Sequence, residues 1–244
     1  MVTQPSAAVR SDLAPTGTLR VGVNMGNFLL TRKEASGQGA GIVFDLGREL
    51  AGRLGVPVQF VEYENPGKLA DAAKSGVWDV GFLGAEPQRA QEIDFTPAYV
   101  EIESTYLVPP GSPIQRIDEV DRKGVRIAIS ERSAYDLYLT RTLKNAELVR
   151  ERGAEAVVKR FVDDKLDALA GLRPRLLTDH ANLPGSRILD GNFTSVQQAS
   201  GTPKGRAAGF QYLRAFIEEA KASGLVARLI EKNNVQGLTV AANA

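Results

Sequence analysis

Arg89 carries the chemistry most readily legible in the chain. A guanidinium presents a planar fork of donors that can grip a carboxylate with two hydrogen bonds. Arg89 follows VWDVGFLG (77–84), a short apolar run that reads as a strand. Pro87 suits the start of a helix, whose free N–H groups and partial positive charge also favour anions. Ligands of open α/β sheets collect beyond the carboxyl ends of strands, and Gly84 and Arg89 fall there. Arg89 also has a plainer reading, as a surface cation paired with Glu86 or Glu92 on its own helix. Glu86 faces ligand beside Arg89, or it caps that helix.

Two more segments follow predicted strands. NMGNFLL (24–30) offers Asn24 and Asn27, each able to donate and accept. Phe28 beside them is a core residue or an exposed ring for a ligand. SERSAY (130–135) places the hydroxyls of Ser130 and Ser133 at the start of a helix, with Arg132 adding positive charge. Ser133 is equally suited to N-capping that helix.

Catalytic chemistry finds less support. The acids near these segments are Glu86, Glu131 and Asp136, and spacing singles out none of them as a poised acid or base. His180, the one histidine, lies in TDHANLPGSR, which reads as a polar loop. There is no cysteine, so disulfides and thiolate metal sites are excluded. No His/Cys/Asp cluster suggests a metal, and Ser130 and Ser133 lack a G-x-S-x-G elbow. The expectation is therefore no catalytic residue, no metal and no cofactor.

These residues need elements to position them. TLRVGV (18–23), VPVQFVEY (56–63) and VWDVGFLG (77–84) read as strands. Between the first two, Ile42, Leu46, Leu50 and Leu54 share one face of a helix that Gly55 ends. Residues 66–76 suit a short helix, and residues 24–40 a loop. The alternation restarts after residue 103. Strands at 105–109, 124–130 and 166–171 are interleaved with helices at 133–145 and about 153–162. An extended segment at 195–203 and helices at 209–224 and 225–234 close the chain. Strand–helix alternation predicts an α/β fold with largely parallel sheets. Residues 1–17, rich in Ala, Pro and Ser, read as a flexible tail.

The bulk properties bound the rest. The chain has 244 residues, 43% hydrophobic, enough to bury a substantial core. Thirty basic and 29 acidic side chains nearly cancel, and no segment is basic enough to make nucleic acid a leading partner. No apolar run approaches the roughly 18 residues of a membrane helix. No signal-peptide h-region precedes residue 18. The expected location is periplasmic if a signal was removed and cytoplasmic if the chain is native as given.

TLRVGV, GIVFDLGRELAGRLGVPVQFV, LADAAKSGVWDVGFLGAEPQRAQEIDFTPAYVEIESTYLV, KGVRIAIS, LDALAG and ASGLVARLIEKN follow one another in an order and spacing that resemble the bacterial extracellular solute-binding proteins of family 3. The most specific stretch is EPQRAQEIDFTPAY (86–99). The resemblance implies a type II periplasmic-binding-protein fold of two α/β lobes joined by a two-strand hinge. One lobe holds 18–101 with 199–244, the other 105–195, and the hinge lies near 102–104 and 196–198. It implies a monomer that closes on a small-molecule ligand (a carboxylate, amino acid or organic acid) and serves an ABC permease. A dehydratase-like enzyme on the same fold, or a stand-alone sensing domain, is the alternative.

The resemblance also assigns roles. Arg89 matches the arginine that holds the ligand carboxylate. Asn27 falls where an aromatic packs on the ligand. Arg132 replaces a glycine of the carboxylate-binding loop, while Ser133 keeps its hydroxyl. Leu172, followed by Arg173, stands where amino-acid receptors carry an aspartate for the ligand ammonium. A carboxylate lacking an α-amine is the ligand class this departure favours.

Overall fold

The computed structural model describes residues 4–244. In chain order it begins α1 (Ala7–Leu13), β1 (Leu19–Asn24), a small hairpin of β2 (Arg32–Lys33) and β3 (Gly39–Ala40), α2 (Ile42–Leu54) and β4 (Val58–Tyr63). Next come α3 (Pro66–Asp71), β5 (Val80–Gly84), β6 (Ile93–Phe95) and β7 (Val100–Val108). The middle of the chain holds β8 (Arg126–Ser130), α4 (Ala134–Thr142), β9 (Glu147–Glu151), α5 (Ala154–Asp163), β10 (Ala168–Leu172), α6 (Arg173–Asn182) and β11 (Arg187–Ile188). It ends with β12 (Thr194–Pro203), α7 (Ala207–Ala222), α8 (Leu225–Lys232) and β13 (Thr239–Val240).

The chain divides into two compact units. One runs to Glu101 and resumes from Gln197 to Ala244; the other is Ile102–Val196. The two passages between them fall inside β7 and β12.

In the first unit, β1 lies between β4 and β5, parallel to both. β12 returns antiparallel beside β5. The predicted face of α2 is buried, with Ile42, Leu46, Leu50 and Leu54 fully covered. Gly55 ends this helix at φ 68°, a left-handed turn that glycine adopts without steric cost. Asp79, fully buried at the start of β5, is neutralised by Arg20 and Arg206, each at 2.7 Å. A buried carboxylate requires such pairing.

In the second unit, β8 lies between β9 and β10, parallel to both, and β10 pairs antiparallel with β7. Successive residues of β8 serve opposite faces. Ile127 and Ile129 pack with Tyr106, Leu139 and Ala170, while Ala128 packs with Val157, Phe161 and Leu176. Burial on both faces explains the unbroken apolar run Ile127–Ala128–Ile129 at the centre of the strand.

Three readings of the sequence need correction. Residues 7–13 are helical rather than a loose tail. Ser6 caps α1, and Val9 and Leu13, four apart, are buried. The Asp12 carboxylate accepts from the Gly209 N–H at 2.9 Å and so caps α7 from 197 positions away. Gly209 permits this approach, because a Cβ there would lie 2.8 Å from the Leu13 side chain. His180 belongs to α6, not to a loop; the missed signal was Pro174 in the helix's first turn. Pro87 does not open an α-helix, since only a three-residue 3₁₀ turn, Arg89–Gln91, follows it.

Candidate functional site

The carboxyl ends of the parallel strands define the candidate surface of each unit. In the first they are Asn24, Tyr63 and Gly84. The Arg89 side chain is turned back to this edge, its Nη1 donating to the Gly84 carbonyl at 2.7 Å. Arg89 is only 5% exposed, so it is not the surface cation of the plainer reading. A three-residue turn supplies no appreciable helix dipole, so positive potential here comes from the guanidinium. Glu86, half-buried, accepts the Ala90 N–H with its carbonyl at 2.9 Å and starts the turn. The edge is braced from behind by Tyr99. Its ring meets Phe82 edge-on at 5.8 Å, and complete burial pushes its phenol far up.

The loop after β1 is organised by its asparagines. Asn24 Oδ1 accepts from Gly26 N at 3.0 Å, and Asn27 Oδ1 from Leu29 N at 3.2 Å. Both side chains thus satisfy the loop backbone, a common asparagine role. The Asn27 carbonyl also accepts from the Thr31 hydroxyl at 2.9 Å. Phe28, directly after Asn27, is 48% exposed and is not a core residue.

In the second unit the edge consists of Ser130, Glu151 and Leu172. Ser133 caps α4, its Oγ accepting from Asp136 N at 3.0 Å. Arg132 stands before it at φ 59°, a conformation disfavoured for any residue with a Cβ. Its N–H donates to Asp136 Oδ2 at 2.7 Å, which holds the turn. Asp136 also receives Arg150 Nε at 2.9 Å and is committed to this clamp. Glu131 is bound by Arg152 Nε at 2.6 Å, and that bond keeps its carboxyl below the usual range. Sequence reasoning overlooked Tyr135. Burial raises its phenol, and hydrogen bonds with Ser133 and Ser130 oppose that rise. The signal was an aromatic in the first turn after the two serines.

Leu172 ends β10 opposite Ser104 of β7, and Arg173 opens α6. Arg173 Nε donates to Glu103 Oε2 at 2.7 Å, and its terminal nitrogen donates to the Gly191 carbonyl. Its charge is therefore partly spent within the unit. His180 is exposed, with Nδ1 2.9 Å from Ser186 Oγ, a solvated helix residue. Among the described residues no group of three or more His, Cys, Asp or Glu side chains could hold a metal.

Two α/β units built on parallel strands and joined by two passages of chain are the architecture of the type II periplasmic binding proteins. The pattern of the bacterial extracellular solute-binding proteins, family 3, matches residues 19–236, and the chain belongs to that family. A lysine/arginine/ornithine-binding periplasmic protein of Escherichia coli (strain K12) is 27% identical over 168 residues, or 67% of this chain. The chain covers 64% of that relative's length. The solute receptor for L-cysteine of Neisseria gonorrhoeae has a similar structure, with a TM-score of 0.77 at 21% identity over 95% of this chain and 96% of its own. An ancestral amino-acid-binding protein, a precursor of cyclohexadienyl dehydratase, superposes with a TM-score of 0.75 at 21% identity over 93% and 99%. These likenesses concern the fold.

Proposed function

We propose that the chain captures a small carboxylate-bearing solute between its two units and hands it to the permease of an ABC transporter. One observation carries the reading: a buried guanidinium, Arg89, fastened to the carbonyl of Gly84 at the carboxyl end of β5. A guanidinium held at a strand end presents a planar fork of donors that suits a carboxylate. Asn24, Asn27, Phe28 and Glu86 complete the first unit's surface. Ser130, Arg132, Ser133, Leu172 and Arg173 form that of the second. The hinge lies near 102–104 and 196–198.

The preferred solute lacks an α-amine. An ammonium beside Leu172 meets an alkyl side chain and the neighbouring Arg173. Unit charges about 4 Å apart interact by roughly 4 kcal/mol at an effective dielectric near 20, so a missing counter-ion costs two to three powers of ten in affinity. The comparisons favour a second reading, an α-amino acid, because the relatives named above are receptors of amino acids. In that case Glu86 takes the amine. A dehydratase-like reaction is disfavoured by the commitments of Glu131 and Asp136 to Arg152 and Arg150.

The carrying residue is tested by Arg89→Lys, which keeps the charge but loses the fork. Identification of the co-purified solute by mass spectrometry supplies the ligand for calorimetry. Affinity is expected to fall at least tenfold, a loss of about 1.4 kcal/mol or more. Equal affinity of the lysine variant and the parent refutes the role.

A further inference from the structure

We propose that Arg173 sets ligand specificity by occupying a carboxylate that would otherwise serve an ammonium group. The inference rests on the proposed amine-free solute at the end of β10. β7 runs antiparallel to β10, with Ser104 opposite Leu172. Glu103, one residue earlier on β7, therefore lies opposite Arg173, at the edge formed by the carboxyl ends of β8, β9 and β10. The fold thus supplies an acid close to the point where Leu172 replaces one. That acid does not stand open. Arg173 Nε donates to Glu103 Oε2 at 2.7 Å.

Three features keep the arginine in place. α6 begins at Arg173, and Pro174 in its first turn restricts the backbone there. The guanidinium also donates to the Gly191 carbonyl, in a turn where Gly191 adopts φ 73°. Two residues on, Phe193 N donates to Ser104 O at 3.0 Å, which ties that turn to β7. Arg173 is thus held between the strand bearing Glu103 and the turn at Gly191. A ligand ammonium approaching this edge meets an ion pair, not a free carboxylate, and displacing the guanidinium breaks two bonds. Excluding a wrong ligand by an unfavourable charge is as effective as favouring the right one. The pair is partly exposed, 28% for the arginine side chain and 51% for the glutamate. Such pairs contribute little to folding, so the arginine can be replaced without unfolding the protein.

The test is a gain of function. Arg173→Gln is compared with the parent by calorimetry against matched probes: succinate with L-aspartate, glutarate with L-glutamate, propionate with L-alanine. The parent is expected to bind the amine-free member of a pair more tightly. Arg173→Gln frees the Glu103 charge and narrows that preference at least tenfold. Adding Glu103→Gln restores the parental preference. Arg173→Met, apolar and similar in length, repeats the measurement if the glutamine variant melts early. An unchanged preference in folded Arg173 variants, or a narrowing that survives Glu103→Gln, overturns the proposal and leaves the proposed function standing. A parent that favours the amino acids, or binds neither member of any pair, overturns the amine-free solute on which the proposal rests.

Discussion

At the scale of the residue, Arg132 is the oddest choice in the chain. It holds φ 59° in a turn that a glycine would adopt freely. The left-handed conformation costs a side-chain-bearing residue about 1–2 kcal/mol, while glycine loses part of that advantage through unfolded-state entropy. Because Asp136 clamps the backbone N–H, which a glycine also carries, Arg132→Gly retains the turn. The variant is expected to be more stable by about 0.5–1 kcal/mol, a rise of a degree or more in Tm. Differential scanning calorimetry of the ligand-free protein reads this directly. A lower Tm would show that the Arg132 side chain contributes more to folding than its backbone costs.

At the scale of the element, α1 has the largest consequence for how the chain is understood. It is short, and an isolated helix of seven residues does not persist in water. Its stability comes from α7, through Leu13 against Gly209 and through Asp12 at the α7 N-terminus. Leu13 is fully buried, so Leu13→Ala is expected to cost about 2–5 kcal/mol. Urea denaturation measures this. A loose tail would tolerate the same change with no shift in midpoint. The local pattern alone could not reveal α1, because the helix that covers it lies almost 200 residues away.

At the scale of the whole molecule, the chain passes between the two units at 101/102 and 196/197, and the proposed function makes these passages the hinge. If the solute bridges the units, binding draws them together. Small-angle scattering is expected to show a smaller radius of gyration with the co-purified solute than after its removal. Arg89→Lys at the same solute concentration is expected to show less compaction. An identical radius with and without saturating solute would rule out closure as the mode of capture.

The amino-acid sequence determined the order and type of the main elements. Helical spacing marked the face of α2, apolar runs marked β1, β5 and β8, and glycine marked the end of α2, because these signals act within a few residues of themselves. It also offered Arg89 and Ser133 in the segments after strands, while the Leu172–Arg173 departure came only from the resemblance to the family. It did not reveal that Arg89 is buried, that Asn24 and Asn27 are engaged by their own loop, or that Asp136 belongs to a clamp. Those facts depend on hydrogen-bond partners and cover fixed only when the chain is folded. The Glu103–Arg173 pair is the clearest case. Seventy positions separate the two residues, and only the antiparallel register of β7 on β10 sets a carboxylate beside that guanidinium.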